Sequence, residues 1–262
     1  MKKILQKYDQ KFFYGIIKKI YHLYIRLLDF IGIIKNNFYF RNKNQYIYFT
    51  ESVTEKKFFF LNLCNKYGSD KGGDPINNLS NRKIINNYAS FYEDLFFENR
   101  SLFKNIFELG LGTNNLNIPS NMGLHGRPGA SLKVWKDFFF NANIYGADID
   151  KNILFQENRI STYYCDQLNP ASIKGLFKSL NINNFDLIID DALHIFKANI
   201  IFFEIAINYL DKKGFYIIED VSKREFYLFR EYFANKKNYD VKIIDIYNKF
   251  TQNSLVLIRK IF

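Results

Sequence analysis

Ile106-Phe107-Glu108-Leu109-Gly110-Leu111-Gly112 decides how the rest of this chain is read. An apolar run ends in two glycines spaced one residue apart. That pattern is a buried parallel strand entering a loop whose backbone is clear of side chains. At the carboxyl edge of a sheet, such a loop lets a nucleotide-like ligand lie directly against the main chain. The motif gains its weight from the regularly spaced strands downstream of it.

Beyond Gly112, apolar runs alternate with amphipathic segments. Strands are predicted at 105–109, 143–148, 160–165, 185–190 and 214–219, and helices at 130–140, 170–180, 195–210 and 222–234. This rhythm implies a parallel sheet covered by helices on both faces. Two final strands, 241–247 and 253–260, are joined by Asn248 to Gln252. That link suits an antiparallel hairpin and is too short for a parallel crossover. The fold class is therefore α/β, a doubly wound seven-stranded sheet with an antiparallel C-terminal hairpin.

Upstream, the turn-rich stretch Tyr67 to Pro75 precedes a helix expected over 82–97. Residues 12–34 carry Phe13, Ile16, Ile17, Ile20, Tyr24, Leu27 and Ile31 at helical spacing, with Lys18, His22, Arg26 and Asp29 opposite. This face suits packing on its own domain, self-association into a homo-oligomer, or peripheral contact with an anionic membrane surface. The interrupting charges make it a poor transmembrane segment. Residues 35–50 look like a linker, which divides the chain into a basic helical extension, 1–60, and a main domain, 61–262.

The net charge of +11 is uneven. Residues 1–60 hold twelve Lys/Arg against four Asp/Glu, leaving only +3 for the remainder. A nucleic-acid-binding core would carry that charge itself, so no nucleic-acid partner is expected. Cys64 and Cys165 match no metal spacing and read as two free buried thiols of a reducing cytoplasm. No signal peptide is evident.

In a doubly wound sheet, ligands sit beyond the carboxyl ends of the strands. The first strand delivers Gly110 and Gly112. The second ends in Asp148, placed to accept the ribose hydroxyls of an adenosine-containing ligand. The third ends in Asp166 and Gln167, placed for an adenine edge. Ser131 opens the helix after the long loop 113–128, where free N–H groups suit a carboxylate. The strands at 185–190 and 214–219 deliver Asp190, Asp191, Glu219 and Asp220. Neighbouring strands lie about 5 Å apart, so Asp191, Glu219 and Asp220 converge. Carboxylates crowded without a counter-charge favour a hard cation such as Mg²⁺ over Zn²⁺. His194, three residues beyond Asp191, is the residue type best suited to a general base. His125 lies in the loop 121–127 as a further contact to substrate.

Taken together, Tyr67-Gly68-Ser69-Asp70-Lys71-Gly72, Phe107 to Gly112, Gly129-Ala130-Ser131-Leu132, Tyr145 to Asp150, Asp166-Gln167, Ile189 to His194 and Ile218-Glu219-Asp220 resemble the S-adenosylmethionine-dependent sugar O-methyltransferases of the mycinamicin and macrocin type. Relatives of these enzymes occur in bacterial capsule and lipopolysaccharide gene sets. The resemblance spans residues 62–260. It implies a class I Rossmann-like methyltransferase fold, a cytoplasmic enzyme, and a sugar or nucleotide-sugar acceptor in capsule or surface polysaccharide biosynthesis. It implies S-adenosylmethionine on the side of Glu108, Gly110, Gly112, Ser131, Asp148, Asp166, Gln167 and Asp190. It also implies a divalent metal on Asp191, Glu219 and Asp220, and a base at His194. Ala192-Leu193 stands where the family more usually has Gly-Ser.

Three rival readings fit parts of the sequence. A nicotinamide-dependent oxidoreductase would need glycine or alanine at Asn115 to complete its fingerprint. A methyltransferase aimed at a non-sugar capsule substituent would share every motif. A membrane-attached, non-catalytic protein would retain only a degenerate cofactor fold.

Overall fold

The computed structural model describes residues 46–49, 58–72, 88–246 and 254–261. The helix expected over 12–34, with His22, lies outside them. Among the described residues, nine strands form one sheet. They are β1 (Tyr46–Phe49), β2 (Asn105–Leu109), β3 (Asn143–Asp148), β4 (Gln156–Glu157), β5 (Ile160–Tyr164), β6 (Phe185–Asp190), β7 (Leu210–Ile218), β8 (Tyr239–Ile246) and β9 (Ser254–Lys260). All seven expected strands are present. Two short ones are added: β4, and β1 within the stretch expected to be linker.

The order across the sheet is β1-β8-β9-β7-β6-β2-β3-β5-β4. Strands β5, β3, β2, β6 and β7 run parallel, while β9 is antiparallel to both β7 and β8. The chain leaves β2 for β3 and β5 on one side, then returns to β6 on the other. The strand order therefore reverses between β2 and β6, where a crevice opens beyond their carboxyl ends.

Six α-helices among the described residues cover the sheet: α1 (Phe59–Tyr67), α2 (Tyr88–Phe96), α3 (Ala130–Phe138), α4 (Pro170–Leu180), α5 (Phe196–Ala206) and α6 (Phe226–Phe233). Their ends reflect local chemistry. Helix α4 begins at Pro170, whose missing N–H costs nothing there. The Asn169 side chain caps it by accepting from the amides of Ala171 and Ser172, and Asn181 ends it in a left-handed conformation.

Each face has its own core. Helices α1, α2 and α3 lock through aromatic contacts, with the Trp135 ring 5.0 Å from Phe60 and 4.9 Å from Tyr92. On the opposite face, Phe107, Phe177, Phe185 and Phe202 pack under α4 and α5. The phenylalanine-rich composition is thus absorbed largely by packing.

Helix α1 matters to the site because the turn after it carries Lys71. Its amino end is held by Glu93, whose carboxylate accepts from the amides of Phe59 (3.2 Å) and Phe60 (2.8 Å). Its carboxyl end turns on Gly68 at φ +75°. Glu93→Ala strands two amides of the first turn. We expect a loss of about 1–2 kcal/mol in urea unfolding; an unchanged midpoint would show that this carboxylate does not hold α1.

Candidate active site

A cavity of about 560 Å³ opens at the strand-order reversal. Its floor is the glycine loop after β2. Gly110 has φ +94°, and a Cβ there would stand 2.1 Å from the Asp191 carbonyl oxygen. Gly112 has φ +75°, and a Cβ there would strike the Met122 sulfur. Both positions require glycine, one for close approach to the segment after β6 and the other for the loop that roofs the cavity.

The wall on the β3 and β5 side holds Asp148, Ile149, Asp166, Gln167 and Leu168. The Asp148 carboxylate accepts from the amides of Leu111 (2.7 Å) and Asp150 (2.8 Å), which ties the glycine loop to β3. Burial pushes that carboxyl up, opposed by these donors. Gln167 has a bracing role that the sequence did not suggest. Its amide nitrogen donates to Asp190, at 2.8 and 3.0 Å, and its carbonyl oxygen accepts from the Leu193 amide. The Ser120 hydroxyl donates to the Leu193 carbonyl. The Ala192-Leu193 loop is thereby pinned on both sides.

Of the residues expected to face the ligand, Gly110, Gly112, Ser131, Asp148, Asp166, Gln167, Asp191, His194 and Asp220 line the cavity. Glu108, Asp190 and Glu219 stand behind its wall, all fully or almost fully buried. Glu108 accepts from Ser131 Oγ (2.6 Å) and Trp135 Nε1 (3.1 Å), so the Ser131 hydroxyl is already engaged. His125 is exposed and does not line the cavity. Cys165 does, but burial pushes its thiol up to about 12, leaving it neutral. Both cysteines are free.

The acid cluster does gather where β6 and β7 end, but it has a counter-charge that strand-end positions alone do not reveal. Lys71 Nζ lies 2.5 Å from Glu219 Oε2, 2.7 Å from Asp191 Oδ2 and 3.1 Å from Glu108 Oε1, with its side chain 2 % exposed. Burial opposes the ammonium charge, yet the three carboxylates outweigh it and hold Lys71 above the ordinary lysine range. Tyr92 donates to the other oxygen of Glu219. Tyr88 donates to Asp220 Oδ1 at 2.6 Å. Burial raises both phenols, and the neighbouring carboxylates raise them further, so they stay protonated donors.

At the cavity mouth, Asp191, His194 and Asp220 each offer a ligand atom within 4.8 Å of the others. His194 Nδ1 is buried with no hydrogen-bond partner and lies 4.0 Å from Asp191 Oδ1. His194 and Asp220 both have φ +52°. Such strain at two facing positions is typical of functional sites.

No family model matches the chain. The rhamnosyl tetracenomycin-C 2'-O-methyltransferase of Streptomyces olivaceus is 30% identical over 159 residues, 61% of this chain and 36% of that protein. The demethylmacrocin O-methyltransferase of Streptomyces fradiae is 29% identical over 163 residues, 59% of this chain and 38% of that protein. The chain thus matches little more than a third of the length of these curated relatives. Among solved structures, the MycE methyltransferase of the mycinamycin biosynthetic pathway, in complex with Mg and SAH, aligns with a TM-score of 0.57. It is 20% identical and covers 78% of this chain and 56% of that one. The fold is that of MycE. Both sequence relatives are named O-methyltransferases, the first of a rhamnosyl compound, in agreement with the resemblance read from the motifs.

The geometry is open to two stability measurements. Gly110→Ala combines a forbidden contact with a left-handed backbone. It should destabilise the fold by at least about 2 kcal/mol, read by denaturant titration; a neutral substitution would contradict the close approach. Burial also raises the Asp190 carboxyl from 3.8 to about 6, against the donor Asn199. A raised folded value means the native state binds this proton more tightly. The stabilisation is complete below 3.8 and is lost as pH rises through about 6. Carboxyl-carbon NMR should give an Asp190 midpoint near 6, whereas a midpoint near 4 would refute it.

Proposed function

We propose that the protein is an S-adenosylmethionine-dependent O-methyltransferase that methylates a sugar hydroxyl, using a divalent cation such as Mg²⁺ and His194 as base. One observation carries this reading: two half-sites share one cavity. The first is walled by Gly110, Gly112, Asp148 and Asp166. The second is the convergence of Asp191, His194 and Asp220.

The residues suit both groups. Gly110 and Gly112 leave backbone against which a nucleoside can lie. Ile149 and Leu168, 46 % and 53 % exposed, add apolar surface to the same cavity wall. Asp191 and Asp220 would hold the cation, an all-oxygen pair that favours a hard ion. Glu219 has both oxygens engaged and would join them only by releasing Tyr92 or Lys71. When bound, the donor supplies an already activated methyl group, and the cation makes a neighbouring hydroxyl more acidic.

The chain's own residues then have defined work. His194, on the cavity wall, accepts the hydroxyl proton. Asp191, beside it, stabilises the imidazolium that results. Gln167 and Ser120 fix the loop that carries His194, so the base is held in position rather than sampled. The sugar acceptor is supported by relatives whose names carry rhamnosyl and olivosyl groups. We extend the class to sugars of capsule or surface polysaccharide, including nucleotide-activated ones. No helix among the described residues is long and apolar enough to cross a membrane. Peripheral attachment or self-association through residues 12–34 of a cytoplasmic enzyme completes the proposal, and is read by liposome co-sedimentation.

Incubation with S-adenosylmethionine, Mg²⁺ and a panel of nucleotide-sugars should yield a product heavier by one methylene. Turnover only with a non-sugar hydroxyl would shift the acceptor class, and no cofactor binding by calorimetry would end the enzymatic reading. His194→Ala should lower turnover about 10²- to 10⁴-fold at saturating substrate, and near-normal turnover would remove His194 from the chemistry. Activity should vanish in EDTA and return with Mg²⁺.

A further inference from the structure

We propose that Lys71 is the resident cation of the acid cluster, a positioning residue that keeps Glu108, Asp191 and Glu219 assembled before any metal ion arrives. The inference rests on the metal reading above and concerns what this chain does without the ion. Four carboxylates meet where β2, β6 and β7 end: Glu108, Asp191, Glu219 and Asp220. An ammonium has three donors. Lys71 donates to Asp191 and Glu219 and stands 3.1 Å from Glu108 Oε1 as an ion pair, so one ammonium neutralises acids from three strand ends.

Its reach explains the arrangement. The cluster draws on segments 120 and 148 residues away from Lys71 in sequence. Lys71 stands on the short turn after α1, fixed by the Gly68 cap and by packing of α1 on α2 and α3. It therefore couples the helical layer to the strand ends. It faces the acids from behind, while Asp191 and Asp220 border the cavity from the front. A metal at the mouth and Lys71 at the back would share the same negative charge without competing for the same space. On this view the site stands ready in the apo protein, and the cation is needed for chemistry but not for folding.

The test reads folding rather than turnover. Wild type should rise from EDTA to Mg²⁺ only by the few degrees that cation binding to a preassembled folded state gives by mass action, and by clearly less than Lys71→Met rises. Lys71→Met, which keeps the length of the side chain and loses the charge, should melt well below wild type in EDTA and recover at least half of the loss in saturating Mg²⁺. A Lys71→Met protein whose melting ignores Mg²⁺ would overturn the proposal. If that variant does not fold, Lys71→Met/Glu219→Gln decides. Removal of one uncompensated carboxylate should restore folding in EDTA if the role of Lys71 is charge. A double variant no better than the single one would show that Lys71 acts only by filling space, and would also overturn the proposal. Failure of the metal reading is distinguishable: no Mn²⁺ binding to wild type by electron paramagnetic resonance would remove both.

Discussion

One buried ammonium shared by three carboxylates governs the design of this site. Glu108, Asp191 and Glu219 come from the ends of three adjacent strands or the residues just beyond them, and the fully buried Glu108 and Glu219 would not be tolerated ionised and unpaired. Lys71 makes the crowding possible, and the price is rigidity. The turn that carries it cannot move without exposing unpaired charge. Every element in contact with that turn inherits the constraint: the Gly68 cap, the Glu93 clamp on α1 and the aromatic lock through Trp135.

The sheet converts this constraint into a working cavity. Because strand order reverses between β2 and β6, helices leave in opposite directions and backbone is uncovered between them. The glycine loop then lies against Asp191 with no room for a Cβ. The glycine loop and the acid cluster are thus joined through main chain, at the distance set by adjacent strands. Side-chain braces refine this join. Asp148 holds the glycine loop to β3, while Gln167 links Asp190 to the loop that presents His194.

The central strands could be read residue for residue because burial on both faces demands an unbroken apolar run, and glycine or aspartate ends it. β2, β3 and β6 have those bounds, as does α4 with its Asn-Pro start. β7 was expected to begin at 214 but starts at Leu210, because Asp211-Lys212-Lys213 looks like a turn and is extended only by its place in the sheet. β1 was missed for a different reason: Tyr46-Ile47-Tyr48-Phe49 favour a strand, but the Asn/Lys-rich residues before them read as linker. The site obeys the same rule. Strand-end acids announce themselves by position. Lys71, Tyr88 and Tyr92 do not, since a lysine in a turn and tyrosines on a helix are ordinary until distant strands bury them.

The substituted pair Ala192-Leu193 shows how such hidden supports change the meaning of a motif. Read alone, loss of glycine and serine from this loop argues for altered geometry. In the fold, Leu193 is bound through its backbone on both sides, so what fixes the loop there does not depend on the side chain. The conformational demand falls instead on His194, a residue type that tolerates the left-handed region better than most. Strain is thereby concentrated on the side chain that needs a fixed aim. The side chains at the two intervening positions can therefore change while the spacing from Asp191 to His194 is kept.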